Sequence, residues 1–267
     1  MAGGALPLAS LQVVVTRPAE QAHGMCTLLE NAGARVFRLP LLAVEPVLSG
    51  TDSHAVKPVF EDYNAVIFVS TNAVIHAGEL LSFLQSGAAR RSGNGGPEIG
   101  AIGSRTAQQL AQAGIPVSWV PEQGFTSEDF LALPALQSLP HRHILIVRGQ
   151  GGRGLLRTVL QQRGAVVDYR EVYRRCCPPI DMNQLMQHHQ KEPFDMLMLT
   201  SGESLQNLIQ ASGAPDWLLN IPVLAGSRRL AAAAGEAGFR ASVLVAEDPS
   251  DQAMLQALQH WQAGKTT

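Results

Sequence analysis

The chain has 267 residues, 46% of them hydrophobic and only 16% charged, which argues against a disordered chain and a coiled coil. At about 150 residues per domain the length fits two domains, each large enough to bury its own core. Twenty Lys and Arg against 22 Asp and Glu leave a formal charge of −2, so a general nucleic-acid binder is not expected and any anion site must be local.

The opening MAGGALPLAS has no basic segment and too short an apolar run for a signal peptide. No apolar run is long enough to span a membrane. Cys26, Cys176 and Cys177 give no disulfide framework, and the adjacent pair suggests reduced thiols. A cytoplasmic protein with neither a nucleic-acid nor a membrane partner is expected.

In chain order, the first short apolar run is 11–16 (LQVVVT). An amphipathic helix over 20–32 follows and stops at Gly33. Further strands are expected at 35–39, 65–69, 99–102, 117–120, 144–147, 166–169, 196–199, 223–225 and 242–245. Most of the ten are separated by helical segments. Near-continuous apolar strands alternating with helices point to parallel sheets covered on both faces. The RRSGNGGP segment (90–97) reads as an exposed loop, and 263–267 as a frayed tail.

The chain repeats itself. VVVTRP (13–18) matches ILIVRG, which places Arg17 131 positions before Arg148, and Gly33 stands equally far before Gly164. YNAVIFVST and FDMLMLTSG keep that offset and set Ser70 against Ser201. AIGSRTAQQLAQAG and LAGSRRLAAAAGEAG match at 123, setting Gly103 against Gly226 and, further on, Ser127 against Ser250. The order is a strand-helix-strand piece, a three-strand piece, then both again, so one piece of each kind makes a five-strand sheet. Between them lie 39–50 and 169–179, extended and proline-bearing, which are expected to pair as a two-stranded connector. The expected domains are 1–40 with 178–267, and 45–172. Their strand ends could face one another across a cleft.

Five strand ends carry candidate ligand groups: Ser70 with Asn72; Gly103, Ser104 and Thr106; Gly149 to Gly154; Ser201 with Gly202; and Gly226, Ser227 and Arg228. Hydroxyls there are ordinary helix N-caps. They also sit at the carboxyl ends of parallel strands, where open α/β sheets bind ligands. Arg17, Arg105, Arg148, Arg153, Arg228 and Arg229 gather at the same ends, and arginine grips carboxylates bidentately. Together they suit a polyanion. The Gly149-to-Gly154 run fits a GxGxxG fingerprint, with Glu171 downstream, so a nicotinamide-dependent oxidoreductase is one alternative. A non-catalytic anion-binding or sensor protein is another. No histidine-carboxylate cluster, P-loop or nucleophile elbow appears, and no metal is expected. Tyr173, one of three tyrosines, lies in the connector, where a phenol could donate a proton to a leaving group.

With VVVTRP, FVSTNAV, AIGSRTAQQL, GIPVSWVPEQGFTSEDF, ILIVRGQGGRGLL, GAVVDYREVYRR, LMLTSGESL and LAGSRRLA in this order, the chain resembles the uroporphyrinogen-III synthase family over essentially its whole length. The resemblance implies two flavodoxin-like, doubly wound α/β domains joined by a two-stranded β connector. It implies a cofactor-independent, cyclising hydro-lyase of tetrapyrrole biosynthesis. The substrate would be hydroxymethylbilane, a linear tetrapyrrole with an acetate and a propionate on each ring. Loss of water would give an azafulvene cation, which the far ring attacks through its substituted carbon. The spiro intermediate then fragments and recloses with that ring inverted. Tyr173 looks like the tyrosine most often proposed as the acid in this family. Ser70, Thr106 and Ser201 resemble its cleft hydroxyls, and Gly226 and Ser227 its glycine turn. Arg228 and Arg229 stand where many members carry threonines. A monomer receiving substrate by hand-over from hydroxymethylbilane synthase is expected.

Overall fold

The computed structural model describes residues 6–47, 60–86 and 96–265, and the connector and loop expectations at 48–50 and 90–95 lie outside them. The chain divides into two units. One takes the described residues up to Ala43 and from Cys176 onward, and the other is the continuous segment Val44–Arg175.

The first unit opens with β1 (Gln12–Val15), α1 (Ala19–Asn31) and β2 (Arg35–Arg38). The second carries β3 (Ala43–Pro46), begun at its boundary, then β4 (Ala65–Phe68), α2 (Thr71–Ile75), α3 (Glu79–Gln85), β5 (Glu98–Ala101), α4 (Ser104–Gln112), α5 (Ser127–Leu131), β6 (His143–Gly149), α6 (Leu155–Gln162) and β7 (Val166–Cys176). The first unit resumes with α7 (Met182–Lys191), β8 (Met196–Leu199), α8 (Gly202–Ser212), α9 (Asp216–Leu219), β9 (Val223–Ala225), α10 (Arg228–Glu236), β10 (Val243–Val245) and α11 (Asp251–Lys265). Residues 263–265 therefore complete α11 rather than fray from it. None of the described helices is long and apolar enough to cross a membrane.

The first sheet runs β10-β9-β8-β1-β2 and is parallel throughout. The second runs β3-β7-β6-β4-β5, with β7, β6, β4 and β5 parallel. The first follows flavodoxin order, and the second keeps four strands of it in circular permutation, β7-β6-β4-β5, with β3 added beside β7; the winding reverses between β1 and β8 and between β6 and β4. All four residues of β1, β4 and β8 are buried, as sheets covered on both faces require. Alternate residues feed opposite cores. Val13 and Val15 pack with Met25, Leu29 and Leu258, while Val14 packs with Leu208 and Leu230. In the second unit Phe68 and Val147 share one core, and Ile67 and Ile146 the other.

The repeat is visible in the backbone. Gly33 and Gly164 end matching helix-strand turns with φ of 95° and 96°, a left-handed conformation that glycine adopts without strain. One strand differs from expectation. Residues 117–120 form a single bridge, Trp119 beside Gly100 of β5, and the fifth strand of that sheet is β3, at the opposite edge beside β7. Pro116 and Pro121 bracket the segment, and proline offers no ladder donor.

Candidate active site

The best-formed constellation lies wholly in the second unit, where the winding reverses. β4 leads through Val69 to Ser70, which caps α2 by accepting the Ala73 N–H at 3.1 Å. β6 ends at Gly149. A bulge in β7 aligns Tyr173 with them. Arg148 is in register with Glu171, but Gly149 is in register with Tyr173, so Val172 is an extra residue. The extra residue shifts the alternation, and Val172 and Tyr173 both face the core shared by Phe68 and Val147. The Tyr173 phenol thereby reaches 3.1 Å from the Ser70 Oγ. The backbone fixes the strand here too, with the Gln150 N–H donating to the Tyr173 carbonyl at 2.8 Å.

Gly149 is required by this packing. A Cβ there would stand 2.5 Å from both Cε2 and Cζ of the Tyr173 ring. In a dinucleotide fingerprint the first glycine makes a tight turn and the second admits the pyrophosphate. Here the first, Gly149, admits the Tyr173 ring.

Beside Tyr173 is a cavity of about 190 Å³ bounded by Arg148, Arg153, Arg175, Tyr169 and the backbone of Gly149 to Gly152. Gly151 and Gly152 turn with φ of 75° and 83°. Arg148 is 9% exposed, donates from Nε to the Gly149 carbonyl at 3.0 Å and lies 4.6 Å over the Tyr169 ring. Arg153 pairs with Glu128 at 2.7 Å. The sequence pointed to Arg148 and Tyr173, but Tyr169 and the bulge were missed. The bulge leaves no mark that periodicity could detect.

The other expected residues divide between the units. In the second, Asn72 is half-buried in α2, Gly103 is the uncapped N-terminus of α4, Ser104 and Arg105 are exposed, and Thr106 is buried. In the first, Ser201 caps α8 and bonds the Ser204 Oγ at 2.8 Å. Gly202 is exposed. Gly226 is buried, and a Cβ there would lie 2.9 Å from Pro249. Ser227 caps α10, and Arg228 and Arg229 stand exposed on its first turn. Arg17 is ion-paired to Asp251 at the start of α11. None of the three cysteines is in a disulfide among the described residues, and burial pushes the Cys26 and Cys177 thiols up, which favours their protonated forms.

Two doubly wound parallel-sheet units, one carrying a phenol–hydroxyl pair beside an arginine-lined cavity at the carboxyl ends of its strands, define a class, the two-domain α/β proteins with a site at a strand switch point. The sequence model described as "Uroporphyrinogen-III synthase HemD" matches residues 24–256. Uroporphyrinogen-III synthase of Escherichia coli (strain K12) is 30% identical over 254 residues, covering 93% of this chain and all of that one. The Proteus mirabilis protein of that name is 36% identical over 167 residues, 62% of this chain and 80% of its own. The chain belongs to the uroporphyrinogen-III synthase family, whose members are cyclising lyases of tetrapyrrole biosynthesis. Among solved structures, a mutant uroporphyrinogen III synthase from the extremely thermophilic bacterium Thermus thermophilus aligns with TM-score 0.60 at 21% identity, covering 96% of this chain and 99% of that one. The Helicobacter pylori 26695 synthetase aligns with TM-score 0.57 at 19% identity, over 94% and 99%. These two likenesses speak for the fold.

Proposed function

We propose that this chain closes hydroxymethylbilane to uroporphyrinogen III, with Tyr173 as the proton donor to the departing hydroxyl. The observation that supports the assignment is the 3.1 Å contact between the Tyr173 phenol and the Ser70 Oγ. The Ser70 oxygen already accepts the Ala73 N–H. Its own O–H can donate to the phenol oxygen, which leaves the phenol O–H free to point at substrate. The same Ser70 O–H then stabilises the phenolate once the proton has gone. Water leaves and the azafulvene cation forms. The far ring attacks through its substituted carbon, and the spiro intermediate opens and recloses inverted. The proton lost as the last ring regains aromaticity returns to the phenolate, so the cycle balances.

Arg17, Ser70, Asn72, Gly103, Ser104, Thr106, Arg148, Gly149, Ser201, Gly202, Gly226, Ser227 and Arg228 are assigned to holding the substrate carboxylates and backbone. Arg148 and Arg228 contribute charge-assisted bonds, Arg17 is held in place by Asp251, and the helix starts contribute N–H donors. Free bilane closes end to end, so the protein must favour attack at the hindered carbon by holding one conformation. A monomer in the cytoplasm and hand-over of bilane from hydroxymethylbilane synthase belong to the same reading.

The test is a coupled assay in which bilane is generated in situ and the oxidised porphyrin isomers are separated. Isomer III is expected in excess over spontaneous isomer I. Isomer I alone, from folded protein, would overturn the reading. With the activity in hand, Tyr173→Phe should lower kcat more than it raises KM, and an unchanged kcat would remove Tyr173 from the acid role.

A further inference from the structure

The two halves of the repeat use the same arginine differently. Arg17, at the end of β1, is ion-paired to Asp251. Arg148 is its counterpart at the end of β6. At the offset that sets Ser127 against Ser250, the counterpart of Asp251 is Glu128. Glu128, however, is turned away onto Arg153, at 2.7 Å. Glu171, the register partner of Arg148, makes no ion pair with it. Arg148 is thus nine-tenths buried without a carboxylate partner among the described residues. A buried guanidinium in that state is costly unless an anion completes it.

We infer that one substrate carboxylate completes Arg148 as the Asp251 carboxylate completes Arg17, and that Tyr169 is the positioning residue that aims the guanidinium. Three arginines and no acidic residue line the cavity beside it. At about 190 Å³ the cavity falls below the roughly 300–1,000 Å³ of pockets that enclose a whole ligand, so it takes a carboxylate arm rather than a tetrapyrrole. Arg148 lies 4.6 Å over one face of Tyr169 and donates Nε to the Gly149 carbonyl, leaving its terminal nitrogens for the ligand. Arg157 also lies over the Tyr169 ring, at 5.0 Å. The buried Tyr169 hydroxyl has no hydrogen-bond partner among the described residues, so the residue contributes its ring and not its oxygen. The inference takes the identity of the arm, an acetate or propionate, from the reading above.

The experiment supplies the missing acid in cis. Ser127 lines the same cavity and opens α5, where an aspartate suits the helix start. Ser127→Asp should raise KM for bilane about ten-fold, leave kcat within about two-fold, and keep or raise the melting temperature. Ser127→Asn, of equal size but neutral, should raise KM by less than about two-fold. Tyr169→Leu should raise KM about five-fold and Tyr169→Phe less than about two-fold, since phenylalanine keeps the platform. An unchanged KM in folded Ser127→Asp, or an equal rise in Ser127→Asn, overturns the subsite. Equal effects of Leu and Phe at 169 overturn the platform. A second readout does not need turnover. Sodium propionate, against chloride at equal ionic strength, should raise the melting temperature of the wild type and not that of Ser127→Asp. If the wild type makes no isomer III yet shows this shift, the function assignment fails and the carboxylate site stands. If it makes isomer III without the shift and Ser127→Asp is normal, the site fails alone.

Discussion

At the scale of single residues, atoms missing from a side chain matter as much as those present. Gly149→Ala puts a methyl group against the Tyr173 ring, where the nearest atoms are 2.5 Å away. Overpacking of this kind costs about 1–3 kcal/mol. The variant should lose about that much in urea unfolding, and its kcat should fall further than that of Ser70→Ala. Ser70→Ala should lose about 1 kcal/mol through the α2 cap, together with part of its kcat. Far from Tyr173, at the amino end of β6, Tyr63 donates to Asp168 at 3.1 Å, and His143 meets the same carboxylate oxygen at 2.9 Å. Burial, reinforced by Asp168, pushes the Tyr63 phenol up to about 12. An unfolded tyrosine ionises near pH 10. The stability from this site is therefore complete below about pH 10 and is lost as pH rises through 12, by up to about 1.4 kcal/mol per pH unit. Urea midpoints at pH 9 and pH 11 should show a shallower loss in Tyr63→Phe than in the wild type.

At the scale of elements, apolar runs flanked by glycine and hydroxyl residues were enough to place nine of the ten strands. Buried parallel strands have no alternating signature, but their length and β-branched content mark them. Residues 117–120 carry that signature and still fail, because flanking prolines limit pairing to one bridge. The edge strand β3 was legible only as a connector, since three of its four residues are half-buried and none is fully so. The β7 bulge was not legible at all. A one-residue insertion in a strand is a matter of pairing, and pairing is non-local. Deleting Val172 should restore continuous register and leave Tyr173 opposite Gly149 on the face it already occupies, at the loss of one buried side chain. The expected protein keeps its far-ultraviolet circular dichroism and forms more isomer III than Tyr173→Phe does.

At the scale of the whole molecule, the repeat carried the architecture. An offset of 131 that tightens to 123 implied two like sheets, and the structure contains two sheets of the same winding. What a repeat in sequence conceals is divergence of use. Arg17 and Arg148 look equivalent until Asp251 and Glu128 are seen to take different partners. The two units also keep separate cores, the second drawing only on residues from Val44 to Arg175. A fragment comprising that segment should unfold cooperatively in urea. A gradual, non-cooperative loss of signal would show that its cores depend on the rest of the chain.

The placement of one continuous unit inside a divided one sets a timetable for the nascent chain. β1 leaves the ribosome with Val13, whose neighbour in the sheet is Met196. At about 5–20 residues per second, that partner follows roughly 10–40 s later. The inserted unit is complete by Arg175, before β8 has been translated. During that interval the buried face of β1 and the apolar side of α1 are without their sheet. Chaperones that shield hydrophobic segments should therefore crosslink, in chains stalled with Arg175 outside the ribosome and Met196 still within it, through the first 40 residues rather than through the finished unit behind them.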